Sequence, residues 1–309
     1  MKKEHITYQS NDGKTKIHAI RWIPQEDVKA VLQISHGMVE FIDRYDEFAS
    51  YLAQHGILVV GNDHLGHGQS VQSEEQYGFF AEKDGNRTLL RDINKLRRMT
   101  EKEYPQVPYF LLGHSMGSFL ARQYICLFGE GLAGAVIMGT GYQPRAVTRF
   151  GMALTTFMAK IKGWNYRSAF VDSMAFGGYN RKFGRLDGKE WLSRNEENVR
   201  KYKSEKLCNF RFTLNGYYNL FYSIYTLSFK NYLARMPEDL PVFFVAGEDD
   251  PVGQFGKGVT KVCQQFREIG MKYVTCRLYQ KDRHEILNEV DRDVVYEDIL
   301  CWMEEVMKG

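Results

Sequence analysis

The sequence predicts an α/β fold with a mostly parallel sheet, and three observations carry that expectation. Short apolar runs of strand length alternate with stretches of helical periodicity, the signature of βαβ units. The pattern breaks once, over residues 142–236, and then resumes. A Gly-x-Ser-x-Gly pentapeptide, Gly113-His114-Ser115-Met116-Gly117, falls between a predicted strand and a predicted helix.

The elements follow in order. Residues 5–10 and 16–22 flank Asn11-Asp12-Gly13, a hairpin turn signal. Ala30-Val31-Leu32-Gln33-Ile34-Ser35 reads as a buried strand ending at His36-Gly37. Residues 45–55 carry Tyr45, Phe48, Ala49 and Leu52 at helical spacing and stop at Gly56. Ile57-Leu58-Val59-Val60 is a second buried strand. Residues 86–104 form an amphipathic helix, with Leu89, Leu90, Ile93, Leu96 and Met99 expected on its inner face and Pro105 after its end. Residues 109–112 read as strand, 116–128 as helix and 135–138 as strand. After Pro241 come strand 242–246, helix 255–270, strand 274–279 and helix 291–307. One sheet domain, residues 1–141 and 237–309, interrupted by a helical cap, residues 142–236, accounts for this order best.

Composition narrows the function classes. The 309 residues hold 41 Lys and Arg against 38 Asp and Glu, a net charge of +3 that does not suit a nucleic-acid binder. The start, MKKEHITYQS, lacks the apolar segment of a secretory signal, and no apolar run is long enough to span a bilayer. The five cysteines, Cys126, Cys208, Cys263, Cys276 and Cys301, are scattered, as expected of free thiols in a cytoplasmic protein.

The pentapeptide points to nucleophilic catalysis by Ser115. A serine hydroxyl needs a base, itself oriented by an acid, and in this fold the chain order is Ser, acid, His. His284 is the only histidine after His114, so it is the candidate base. The acid lies in Gly247-Glu248-Asp249-Asp250-Pro251-Val252. Asp250 is preferred because Pro251 stiffens the turn after it, with Asp249 as the alternative. Two backbone N–H groups should form the oxyanion hole, that of Met116 after the serine and that of Met38 in His36-Gly37-Met38. Asp63-His64-Leu65-Gly66-His67-Gly68 contains zinc-ligand types, but its glycines suggest a tight loop and no third strong ligand is evident.

These pieces resemble the monoacylglycerol lipase and lysophospholipase branch of the α/β-hydrolases, often grouped with serine aminopeptidase-like hydrolases. The likeness rests on His36-Gly37-Met38 with Arg44-Tyr45, on residues 63–70, on the pentapeptide, on residues 247–252 and on Arg283-His284-Glu285-Ile286-Leu287-Asn288-Glu289. It implies Ser115 as nucleophile, Asp250 as acid, His284 as base, a structural role for His64 and His67, and no cofactor or metal. Leu65 departs from the family's frequent Arg, and Asn195 and Ser204-Glu205-Lys206 stand where aspartates are common.

The stretch 142–236 holds 17 Lys or Arg against 6 Asp or Glu, and many aromatic residues. Apolar groups among cations suit a lipid-like ester with an anionic head, or transient contact of the cap with an anionic membrane surface. The other reading makes the aromatics the cap's own core and the cations a solvated face. The expected activity is hydrolysis of a lysophospholipid or monoacylglycerol ester through an acyl-enzyme. A thioesterase or peptidase on the same triad, or a non-catalytic binding module on this scaffold, is the alternative.

Overall fold

A computed structural model describes residues 1–184 and 188–309. Eight strands form one sheet in the order β1-β2-β4-β3-β5-β6-β7-β8. The hairpin β1 (Lys2–Gln9) and β2 (Lys16–Ile23) is antiparallel, and β2 runs antiparallel to β4 (Ile57–Asn62). From β4 onward every pairing is parallel, through β3 (Ala30–Ser35), β5 (Tyr109–His114), β6 (Gly134–Met138), β7 (Val242–Gly247) and β8 (Val274–Tyr279). The expected α/β class is therefore the observed one.

The apolar runs are continuous because both faces of the sheet are covered. Side chains alternate along each strand. Val31, Leu111 and Phe244 face one core, and Leu32, Leu112 and Val245 face the other. The first core is closed by α2 (Gly85–Glu103), α3 (Met116–Phe128) and α9 (Lys257–Glu268), which contribute Leu89, Leu120 and Val259. The second is closed by α1 (Asp46–Gln54) and α10 (Arg292–Lys308), through Phe48 and Ile299.

The strand order reverses between β3 and β5, which places the loops after these two strands side by side. Crevices at such switch points are where open α/β sheets carry their sites.

Two local expectations are corrected. Met99 is exposed, and Thr100 takes the inward place, because the buried arc of α2 turns toward Leu90 and Arg97. The helix expected from residue 255 begins at Lys257: Gln254 and Phe255 have φ of 52° and 55°, a left-handed conformation that cannot open a right-handed helix.

Between β6 and β7 the chain adds helices and no strand among the described residues: α4 (Arg145–Lys162), α5 (Ala169–Phe176), α6 (Glu196–Ser204), α7 (Leu214–Thr226) and the short α8 (Lys230–Leu233). The aromatic residues divide. Phe212 and Tyr217 are fully buried, whereas Phe150, Phe157 and Phe170 are exposed. On α4 the inward residues are small: Thr148, Gly151, Thr155 and Ala159. Its large apolar residues Val147, Phe150, Phe157 and Ile161 form a stripe on the outer side. Neither sequence reading of this stretch is whole: part of the aromatic set is core, and part faces out. Among the described residues no helix is long and apolar enough to cross a membrane.

Candidate active site

Ser115 occupies the junction of β5 and α3 with φ 53° and ψ −117°. This is costly backbone for a residue with a Cβ, and the neighbours fix it in place. Its N–H donates to Met138 O at 3.0 Å, and its carbonyl accepts from Ser118 Oγ at 2.6 Å. The flanking glycines are required by space: a Cβ on Gly117 would stand 1.9 Å from Ser35 O, and one on Gly113 would stand 2.3 Å from Gly117 O. The close approach of α3 to the end of β3 follows from their absence.

His284 and Asp250 come from the loops after β8 and β7. Both are buried, and His284 Nδ1 lies 2.9 Å from Asp250 Oδ2. The other carboxylate oxygen, Oδ1, accepts from Val252 N–H at 2.8 Å. Asp249 points elsewhere, and its Oδ1 accepts from Lys182 Nζ at 2.5 Å near the surface. Of the two adjacent aspartates it is thus Asp250 that meets the imidazole. An Nδ1–H donated to the carboxylate leaves Nε2 with the free lone pair. The ring is held between Trp191 and His114, with centroids 5.1 and 4.8 Å away.

Ser115 and His284 line one cavity of about 550 Å³, together with Gly37, Met38 and Met116. Ser115 Oγ makes no hydrogen bond to His284 among the described residues. In such sites this bond often tightens only in the substrate complex. The N–H groups of Met38 and Met116 have no protein acceptor among the described residues. Val39, next to Met38, has φ 56°, an outlier for a β-branched residue. Its carbonyl accepts from Tyr202 OH on α6 at 3.0 Å.

A charged network under this turn escapes sequence inspection. Glu40 Oε1 accepts from Gly37 N–H, from Tyr45 OH at 3.0 Å and from His114 Nδ1 at 3.0 Å. Its Oε2 accepts from Arg44 Nη1 at 2.8 Å. Arg44 also grips both oxygens of Glu285, at 2.9 and 2.7 Å. Burial alone would push the Glu40 carboxyl up, but the His114 hydrogen bond and the charges of His114 and Arg44 hold it well below the usual carboxylate range. His114 shows the reverse balance: burial disfavours its charge, while Glu40 raises its pKa. Arg44-Tyr45 and Glu285 lie in the segments that carry the resemblance, but nothing in their spacing pairs them.

The loop that carries zinc-ligand types is tied to its surroundings through Asp63 and His64. Asp63 accepts from Ile42 and Gln69 N–H and meets His18 Nδ1 at 2.8 Å. His64 Nε2 lies 3.0 Å from Ser35 Oγ, and its N–H donates to His36 Nε2 at 2.9 Å. His67 sits among Phe80, Phe210 and Phe212, and burial pushes its pKa down to about 3. Together these contacts make the loop a scaffold beneath the Met38 turn.

A mostly parallel sheet, a strained serine between strand and helix, and a buried acid–histidine pair from two later loops define an α/β-hydrolase. Residues 26–291 match the family model described as serine aminopeptidase, S33, and the chain belongs to this family. The rat (Rattus norvegicus) monoglyceride lipase is 39% identical over 100 residues, a match spanning 32% of this chain and 31% of that protein. The chain thus aligns with about a third of that relative's length. A monoacylglycerol lipase of Mycolicibacterium smegmatis is 24% identical over 293 residues, covering 91% of this chain and 90% of its own. The crystal structure of a thermostable carboxyl esterase from Bacillus coagulans, in complex with glycerol, superposes with a TM-score of 0.92 at 26% identity over 99% of both chains.

Proposed function

We propose that this protein hydrolyses carboxylic esters of lipid-like substrates, monoacylglycerol or lysophospholipid, with Ser115, His284 and Asp250 as its triad. The observation that carries the reading is His284, held by the buried Asp250 and lining the same cavity as Ser115 and the residues of two N–H groups without a protein acceptor among the described residues. His284 Nε2 takes the hydroxyl proton as Ser115 Oγ attacks the ester carbonyl. The Met38 and Met116 N–H groups donate to the oxyanion, helped by the positive end of α3. The tetrahedral species expels the alcohol, which takes the proton back from His284. Water, deprotonated by His284, then cleaves the acyl-enzyme and restores the serine. Asp250 holds the ring in the correct tautomer and stabilises its cation.

In this reading residues 1–141 and 237–309 form the catalytic core, and residues 142–236 form a cap. Phe176, Phe210, Leu220 and Phe221 give the cavity an apolar wall suited to an acyl chain, and Val147 and Phe150, the exposed start of the α4 stripe, stand at its rim. The outward stripe of α4, continued by Phe170 and Met174 on α5 and edged by Arg145, Arg149, Lys160 and Lys162, suits docking on an anionic membrane. The relatives named for monoglyceride lipase activity support the substrate class.

Hydrolysis of a p-nitrophenyl ester series, from acetate to long acyl chains, tests the proposal. Activity should peak at one chain length, and a fluorophosphonate probe should label Ser115. No ester hydrolysis and no labelling would defeat it.

A further inference from the structure

The charged side chains lining the cavity are Glu40, Asp172, Lys189 and Glu285. The three carboxylates all have partners. Glu40 and Glu285 share Arg44. Asp172 accepts from Tyr217 OH and lies 3.7 Å from Arg211 Nε. Lys189 differs. Its ammonium makes no hydrogen bond or ion pair among the described residues, although the chain is half-buried. It lies over the ring of Tyr202, 5.5 Å from the centroid, while Arg44 lies 4.9 Å from the same centroid. Burial weakens its hold on the proton, and Asp172 and Glu285 offset this only through space.

The position of this ammonium relates to the chemistry through one side chain. The Tyr202 ring lies beneath Lys189, and its hydroxyl donates to Val39 O, the carbonyl next to Met38. Lys189, Tyr202, Met38, Met116 and Ser115 all line the same cavity, so the Lys189 ammonium shares the space in which an ester would reach the Met38 and Met116 N–H groups. Elsewhere the lining includes Phe150, Leu220 and Phe221, which offer no charge to bind. The lining is thus chemically uneven, with the unbonded Lys189 ammonium beside Tyr202 and apolar groups elsewhere.

From this asymmetry we infer that Lys189 is a specificity residue that binds an anionic group on the alcohol side of the substrate ester. A charge-assisted bond to a half-buried ammonium is stronger than one to a fully solvated surface lysine, because burial leaves less competing water. The inference rests on the hydrolase reading above and adds the head-group chemistry to it.

The test uses water-soluble esters, which removes any contribution from a lipid surface. Monobutyrin, butyryl glycerol 3-phosphate and butyryl glycerate share an acyl group and differ in the charge beyond it. The wild type should prefer an anionic ester by about tenfold in kcat/KM, mostly through KM. Lys189→Met should bring that ratio to about one, and Lys189→Arg should retain most of it. Lys230→Met, which removes an exposed cation remote from the cavity, should leave the ratio at its wild-type value. A Lys189-dependent gain on either the phosphate or the carboxylate ester supports the inference and identifies which source is preferred. A gain on neither, or a preference that survives in Lys189→Met, overturns it. Inhibition of monobutyrin hydrolysis by free glycerol 3-phosphate is a second readout and should weaken about tenfold in Lys189→Met. Failure to cleave any of the three esters or any of the p-nitrophenyl series, with no fluorophosphonate labelling of Ser115, would defeat the hydrolase reading itself. Cleavage of monobutyrin without a Lys189-dependent gain would defeat only this inference.

Discussion

The loops at the edge of the sheet and the helices between β6 and β7 treat their side chains in opposite ways. In the loops, charged groups are buried and bonded: Glu40 alone accepts from Gly37, Tyr45, His114 and Arg44. On α4, small residues face inward and aromatic ones face solvent. The first arrangement fixes atoms to within a hydrogen bond's tolerance. The second offers a surface that nothing among the described residues covers. In the proposed reading, the difference separates most of the geometry for chemistry, held by the loops, from the area for contact, offered by α4. Each can therefore be broken without the other.

The largest effect should come from the loop side. Ser115→Ala should lower ester hydrolysis by about 10⁴-fold or more, with the melting temperature little changed. Asp250→Asn should follow, with kcat down about 10³–10⁴-fold, because the amide no longer fixes the His284 tautomer. Glu40→Gln should act on stability. Breaking a buried charged pair costs about 3–5 kcal/mol, read as a lower midpoint in urea unfolding. Its pH dependence has a definite sign. The Glu40 carboxyl is held below its unfolded value, so its contribution is present above the ordinary carboxylate range and lost as pH falls below it. Stability of the wild type should therefore fall more steeply on acidification than that of Glu40→Gln.

On the helical side, Phe157→Ser with Ile161→Ser should weaken binding to anionic vesicles by about tenfold or more in a flotation assay, since each apolar side chain removed forfeits about 1.5–3 kcal/mol of burial. Unchanged vesicle binding would leave the α4 stripe without a role at the membrane. The smallest effect is that of Asp249→Asn. It removes a part-exposed pair with Lys182, so activity should change by at most about fivefold. A loss matching that of Asp250→Asn would mean that the wrong aspartate has been assigned.

Local chemistry made much of this legible. The strands announce themselves because a sheet covered on both faces requires unbroken apolar runs such as Ile57-Leu58-Val59-Val60. Ser115 is marked by the two glycines that its turn needs. His284 as candidate base comes from chain order, and Asp250 as candidate acid from a proline and a resemblance; in the structure the two lie 2.9 Å apart. What stayed hidden depends on pairing across distance. Glu40 and Glu285 are ordinary acids in a sequence; only the fold brings them to one guanidinium. Met99 looked like an inward residue because periodicity gives a face but not the arc that neighbours cover. The outward turn of α4 is hidden for the same reason, since an apolar stripe reads the same whether it faces a core or solvent. Lys189 is one cation among many until a cavity selects it.

The grip of Arg44 on Glu285 joins residues 241 positions apart in the chain. During synthesis the strained serine turn and the Met38 loop emerge long before Asp250, His284 and Glu285 do. In the proposed reading, the growing polypeptide therefore carries the Ser115 hydroxyl without its base until residue 284 has been added. Closing so large a loop is among the slower events in folding. Hydrolytic competence should accordingly be the last property the molecule acquires, and a chain truncated before residue 284 should fail to react with a fluorophosphonate even where its early strands have paired.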